Sequence, residues 1–197
     1  MNRFGKAFTL TVLPVLMLGL AACETSVPEQ NLPELTFAHL KPIGLNVAVV
    51  EVVSNYKPPL KAPNVEHLFP TPPIKALRRW ASDRLKAVGK SGSARLVIHK
   101  ASAVETLLKK KTGFKAAFTK QQSNRYDLAV EATLEIYADG RQKGHALAHA
   151  SRFSTLREDA SINKRRRLWF DLTENLVKDF DAEMEKNIRQ HLGGWIR

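Results

Sequence analysis

Hydrophobic and polar positions divide the chain into segments of different period. Over residues 125–139, Tyr126, Leu128, Val130, Ala132, Leu134 and Ile136 alternate with Asp127, Ala129, Glu131, Thr133 and Glu135. A period of two over this length predicts an antiparallel strand with one buried and one solvated face. Asp139-Gly140 opens a turn, with Gly144 expected to close it. Residues 145–156 then return with Ala146, Ala148 and Ala150 on one face, side chains small enough for a helix to pack closely. Residues 43–53 carry Val47, Val49, Val50, Val52 and Val53 almost without interruption, which predicts a central strand covered on at least one face. Residues 94–108 predict a further strand, from Leu96-Val97-Ile98 to Val104-Glu105-Thr106-Leu107, bulged or bent near Ser102.

Two segments have helical period. Thr71 is a candidate cap with Pro72 in the first turn, followed by Ile74, Leu77, Trp80, Leu85 and Val88 at helical spacing. This predicts about four turns, stopped by Gly89. From the candidate N-cap Ser161, Trp169, Leu172, Leu176, Phe180, Met184, Ile188 and Leu192 form a second apolar stripe that Gly193-Gly194 ends. At 1.5 Å per residue this helix is roughly 45 Å long. It should overrun a small sheet, so that the turn bearing Lys164, Arg165, Arg166 and Arg167 projects or bends. The element order predicts an α+β domain: a mostly antiparallel sheet of four or five strands with two helices packed on one face, the C-terminal one long.

Between these elements, residues 55–73 contain Pro58, Pro59, Pro63, Pro70, Pro72 and Pro73, a long irregular excursion. His67, Leu68 and Phe69 within it form a candidate partner-binding loop, unless Leu68 and Phe69 simply pack over the sheet edge. Residues 24–42, with Pro28, Pro33 and Pro42 and no sustained period, read as a tether. The expected organisation is a leader over residues 1–22, a tether over 23–42 and one domain over 43–197.

The leader sets the compartment. Arg3 and Lys6 precede an apolar stretch over residues 7–22, too short for a membrane-spanning helix, with small residues at its end. The 197-residue chain has one cysteine, Cys23, which excludes an internal disulfide and a cysteine-based zinc site. Leu20-Ala21-Ala22-Cys23 resembles the lipobox of bacterial lipoproteins. The resemblance implies cleavage before Cys23, diacylation of its sulfur and acylation of the new amino group. Such acyl chains anchor firmly, at about 0.8 kcal/mol per buried CH2. Glu24, rather than the aspartate that commonly retains lipoproteins in the inner membrane of enteric-type bacteria, resembles an outer-membrane address facing the periplasm. The element order resembles, in architecture, auxiliary lipoproteins of bacterial lipid-transport ABC systems, the lipopolysaccharide-assembly lipoprotein and uncharacterised lipoproteins of alphaproteobacteria.

Composition changes meaning in that compartment. The formal net charge is +12, and about +10 remains once Arg3 and Lys6 are removed with the leader. Lys109, Lys110 and Lys111, and Lys164 to Arg167, are the densest clusters. A periplasmic address replaces nucleic acid by anionic lipid, lipopolysaccharide or acidic envelope partners, and Trp169-Phe170 beside the second cluster suits an interface.

Motifs for chemistry are sparse. Gly89-Lys90-Ser91 imitates the end of a phosphate loop, but Arg84 stands where its first glycine belongs. His145 and His149 on a strand would lie about 13 Å apart. Asp127, Glu131 and Glu135 could serve glycan hydrolysis, or form a solvated, ion-paired sheet face. There is no Gly-x-Ser-x-Gly elbow. The expected function is a non-enzymatic envelope assembly or transport accessory, without cofactor or metal, docked on an envelope protein. The alternative is a module that holds a lipid or lipopolysaccharide acyl chain between sheet and helices. A glycan-acting enzyme ranks third.

Overall fold

The computed structural model describes residues 31–109 and 121–197. The leader, Leu20-Ala21-Ala22-Cys23, Lys110 and Lys111 lie outside the described residues. The elements are β1 (Ile43–Leu45), β2 (Val49–Ser54), α1 (Pro73–Arg84), β3 (Leu85–Ala87), β4 (Ser93–Leu107), β5 (Gln122–Ala138), β6 (Arg141–Arg157) and α2 (Ile162–His191). Four strands form one sheet in the order β2-β4-β5-β6, with β2 parallel to β4 and the other pairs antiparallel. β1 and β3 form a separate parallel pair. Both helices pack on one face of the larger sheet, α2 along β6 and β5 and α1 along β4, and they also touch each other. The class is α+β, as the periods require.

Alternation decides which face is buried. In β5, Tyr126, Leu128, Val130, Ala132, Leu134 and Ile136 are each at most 1% exposed. Ala146, Ala148 and Ala150 of β6 face the same way and are buried, so α2 lies close over β6. β4 changes parity: Leu96 and Ile98 are buried, then Ala101 and Ala103. A register shift between Ile98 and Lys100 makes this possible, because one extra residue turns every later side chain to the opposite face. The irregularity thus sits a few residues before the expected position at Ser102.

Residues 43–53 do not form one strand. The chain turns at Val47, whose N–H bonds the Leu45 carbonyl, and Ala48 N–H reaches the carbonyls of Ser91 and Gly92. β1 therefore pairs with β3, and β2 with β4. β2 lies at the sheet edge rather than the centre. Val50 and Val52 pack on the core, while Val49 and Val53 are 49% and 38% exposed.

α1 has Pro72, not Thr71, at its N-cap position, with no side-chain cap bond, and ends at Arg84, one turn earlier than expected, because residues 85–87 extend to pair with β1. α2 starts as expected: the Ser161 hydroxyl accepts from Lys164 N–H at 3.2 Å. It does not overrun the sheet, since β5 and β6 each have 17 residues, roughly 55 Å of strand. The β5–β6 turn is two residues long, Asp139 (φ 52°) and Gly140 (φ 70°), both left-handed as a tight hairpin requires. Gly144 lies inside β6 instead of closing that turn. A Cβ there would stand 2.9 Å from a Leu192 methyl, so the glycine admits the end of α2.

Packing begins before residue 43. Leu35 and Phe37 belong to the core, at 7% and 2% exposure. Asp83 of α1 accepts Phe37 N–H at 2.8 Å and the Thr36 hydroxyl at 3.0 Å. The second half of the expected tether is thus part of the packed domain.

Gly92 has a φ of +76°, and a Cβ on it would lie 2.7 Å from the Tyr137 carbonyl oxygen. Gly92→Ala combines a left-handed backbone with that collision and is expected to cost about 2 kcal/mol. A urea midpoint unchanged from wild type would refute it.

Candidate docking surfaces

The Pro-rich excursion is an ordered clasp rather than a free loop. Asn55 and Tyr56 N–H both reach the Ile98 carbonyl of β4, the chain bends at 61–64, and Asn64 bridges antiparallel to Val104 of β4. Glu105 N–H bonds the Pro63 carbonyl and Val65 N–H bonds the Ala103 carbonyl, both at 2.9 Å. Glu66, 1% exposed, closes the clasp. Its carboxylate accepts the Tyr56 hydroxyl at 2.7 Å and Ala103 N–H at 3.3 Å. Burial, then the hydrogen bond to Glu66 and its charge, push the Tyr56 hydroxyl well above its usual range.

His67, Leu68 and Phe69 separate in role. Phe69 is 4% exposed and stacks on Trp169, ring centroids 4.7 Å apart. Trp169 meets Tyr126 edge-on at 5.4 Å. Phe69 is therefore a packing residue. His67 is exposed and Leu68 is 56% exposed, so the outward part of the candidate partner loop is this pair. Glu66 lies in the same excursion, but its anchoring role has no periodic signal, since it depends on a tyrosine ten residues earlier and on a strand residue 37 positions later.

Of the basic residues, Lys109 is exposed at the end of β4. In the first turn of α2, Lys164 and Arg167 are exposed, whereas Arg165 and Arg166 are half-buried. Arg167 pairs with Asp171 at 2.9 Å. Trp169 and Phe170 are 7% and 4% exposed, so the aromatic residues after this cluster belong to the core and not to an interface. The Arg165 cation lies near Tyr126. Burial and the hydrogen bond to Glu105 nevertheless dominate and push the Tyr126 hydroxyl up.

Among the described residues, no helix covers the face of the sheet away from α1 and α2. On it Asp127 accepts two nitrogens of Arg125, the closer at 2.7 Å, and the Arg125 guanidinium lies 3.8 Å from the Phe153 ring centre. Glu135 accepts the Tyr137 hydroxyl at 2.9 Å. Glu131 stands in register with Lys100 and His149. Asp127 and Glu135 are thus engaged by neighbours on the same face, and four residues along the strand separate carboxylates by about 13 Å. A concavity of about 300 Å³ beside them contains Lys100, Ser102, Asp127, Ser151 and Phe153. Its serines have no histidine among the lining residues to serve as a base.

His145 and His191 line a second hollow, between β6 and α2, with Glu183 and Asn187. His149 Nδ1 lies 3.3 Å from Glu183. No cluster of three metal-capable groups occurs among the described residues. Gly89-Lys90-Ser91 joins two strands, with Gly89 N–H bonded to the Val47 carbonyl; the helix that a phosphate loop must open is missing at that position.

The space between sheet and helices is filled. Trp80, Leu176, Phe180 and Met184 are all fully buried there, Trp80 meeting Phe180 edge-on at 5.0 Å. An acyl chain would have to displace them. Among the described residues no helix is long and apolar enough to cross a membrane.

No protein-family model and no curated protein matches the sequence. Among solved structures the chain is similar to the rare lipoprotein B of Shewanella oneidensis, with 11% identity, a TM-score of 0.37, and coverage of 70% of this chain and 92% of that one. It is similar also to a minor lipoprotein of Acinetobacter baumannii, with 12% identity, a TM-score of 0.35, and coverage of 74% and 91%. Scores at this level describe a partial overlap of elements and assign neither a family nor a function.

Proposed function

We propose that this chain is a bacterial lipoprotein, anchored through Cys23 in the outer membrane and facing the periplasm. Its α+β domain acts without catalysis, as an assembly or transport accessory that docks on an envelope protein. The observation that carries this reading is the leader. A basic start, an apolar stretch and Leu20-Ala21-Ala22-Cys23 place the chain's single cysteine at the acceptor position of a lipobox. The clasped excursion supports the accessory role, because a rigid scaffold holds His67 and Leu68 outward at low conformational cost.

Cys23→Ser tests the address. The variant is expected to lose palmitate labelling completely and to keep its leader, read as a larger mass on gels. Labelling equal to wild type would overturn the lipoprotein reading. Docking is tested in cells with a photo-crosslinking residue at Leu68, which should trap one protein of defined mass. If no specific adduct forms, the loop is not the contact.

A further inference from the structure

The three most exposed large hydrophobic side chains of the described residues are Leu107 at 78%, Ile162 at 73% and Leu60 at 64%. They come from distant parts of the sequence, and the fold brings them to one end of the molecule. Leu107 ends β4, and it pairs with Asn124 at the start of β5. Gln122 of β5 pairs in turn with Arg157, the last residue of β6, four residues before the Ser161 cap of α2. The ends of β4 and β6 are two strand spacings apart, about 10 Å. Leu60 lies just before the bend at 61–64, whose Pro63 carbonyl is bonded to Glu105, two residues from Leu107. Its φ of 56° is a left-handed conformation that leucine rarely adopts, and such strain persists where the surroundings impose it.

The same pole is basic. Lys61, Lys109 and Lys164 stand beside the three apolar side chains, all exposed, and none has an ion pair among the described residues. Arg165 adds a fourth cation. The acids here are largely engaged: Glu105 by Tyr126 and Asn124, Asp159 by Arg157, Asp171 by Arg167; Glu158 shares the pole. Protruding apolar side chains beside lysines that have no ion pair among the described residues are the composition of a surface that meets lipid headgroups, the apolar tips entering the acyl boundary and the cations meeting phosphates.

The path of the chain toward Cys23 selects which lipid surface. Phe37 is bonded to Asp83 of α1, and Glu34 is paired with Arg79 at 3.0 Å, one turn nearer the α1 N-terminus. That N-terminus lies toward the pole, since Phe69, four residues before Pro73, stacks on Trp169 beside Tyr126. Followed back toward Cys23, the chain therefore heads to the pole. Leu35 lines one hollow with Glu174 and Lys178, and Glu174 stands about 18 Å along α2 from Ile162. The eight residue steps from Asn31 to Cys23 reach at most about 29 Å. The anchor and the pole can thus meet one membrane plane.

We infer that this pole, formed by Leu60–Lys61, Leu107, Lys109 and Ile162–Arg165, docks the domain on the anionic phospholipid surface of the membrane that holds its anchor. The anchor itself belongs to the lipoprotein reading proposed above; the pole's affinity for lipid is independent of it and is measured without acylation. Residues 24–197, which contain every described residue, are mixed with vesicles of phosphatidylglycerol and phosphatidylcholine in equal parts, or of phosphatidylcholine alone, in 0.1 M salt. Sedimentation should show at least tenfold tighter binding to the anionic vesicles. Lys109→Glu with Lys164→Glu should weaken that binding at least tenfold. Lys90→Glu with Arg141→Glu makes the same change in net charge at the opposite end of the sheet and should weaken it no more than threefold. Leu107→Ser with Ile162→Ser should remove whatever binding survives at 0.5 M salt, where headgroup electrostatics are screened. Equal losses from the two charge-reversal pairs, or no preference for the anionic vesicles, would overturn the inference. Cys23→Ser labelling reads the address alone, so failure of one reading is told apart from failure of the other.

Discussion

Arg84→Ala is expected to destabilise the domain by about 3–5 kcal/mol, the range for breaking a buried ion pair from one side. Arg84 is 2% exposed at the end of α1. Its Nε donates to Asp181 at 2.7 Å, and its other arms reach the Glu185 carboxylate and the Lys41 carbonyl. Trp80 Nε1 donates to the same Asp181 oxygen at 2.7 Å. One guanidinium thus ties α1, α2 and the entering chain together. Its removal leaves Asp181 without its countercharge, only Trp80 still donating to it, and takes the guanidinium donor from the Lys41 carbonyl. Arg84→Met with Asp181→Asn should recover more than half of the loss in chemical denaturation, because the asparagine oxygen still accepts from Trp80 and no charge is left unpaired. A single-variant loss under 1 kcal/mol would refute the account. The cluster also sets an acid response. The hydrogen bond from Arg189, with the Arg84 charge behind it, holds the Glu185 carboxyl below its usual range in spite of burial. At Asp83, burial acts upward, but Phe37 N–H, the Thr36 hydroxyl and Arg79 outweigh it and the net direction is down. Carboxyls depressed by folding bind protons more tightly when unfolded. Their contribution is complete above the unfolded values and is lost as pH falls through the folded ones. Stability should therefore fall below about pH 4, and Arg84→Ala should flatten that fall, since Glu185 keeps only Arg189.

The parts of this fold that can be read along the chain are those where burial alone sets the pattern. β5 alternates without interruption because one face meets the helices and the other meets water. α2 repeats at three and four residues because one stripe meets β5 and β6. Patterns that depend on a backbone partner stay hidden. Leu85 is apolar and 4% exposed, which suits the end of a helix as well as the start of a strand, so helical period alone runs one turn past the end of α1. The valines of residues 43–53 are equally compatible with one strand and with two; hydrogen bonds from 46–48 to the neighbouring loop choose the second. Trp169 after Arg167 could be interfacial or buried, and the i, i+3 spacing to Leu172 already favoured burial. The basic clusters are visible as charge, but the fold alone brings Lys109 and Lys164 to one pole, and no period in the sequence marks Leu60, Leu107 and Ile162 as exposed.

Phe69→Ala is the second large effect, expected at about 3–4 kcal/mol. The ring is nearly parallel to Trp169, at 8°, and is buried against the start of α2. Truncation removes that contact and leaves a cavity that the prolines on either side cannot close by rearrangement, because their φ angles are fixed. The loss should extend to the clasp, since Phe69 N–H bonds the Glu66 carbonyl at 3.3 Å and Glu66 holds Tyr56 and Ala103. Trypsin should then cut between Lys61 and Ala62 well before the rest of the domain, whereas in wild type these bonds retard cleavage. Leu68→Ala is the matching control one residue away. Its side chain is 56% exposed, so stability should change by less than about 0.5 kcal/mol while any partner adduct trapped through the loop weakens. If Leu68→Ala destabilises as much as Phe69→Ala, the outward face of the loop is a packing surface and cannot serve docking. If Phe69→Ala leaves the unfolding midpoint unchanged, the clasp is held by its hydrogen bonds alone, and Glu66, rather than the aromatic stack, fixes the path of the chain into α1.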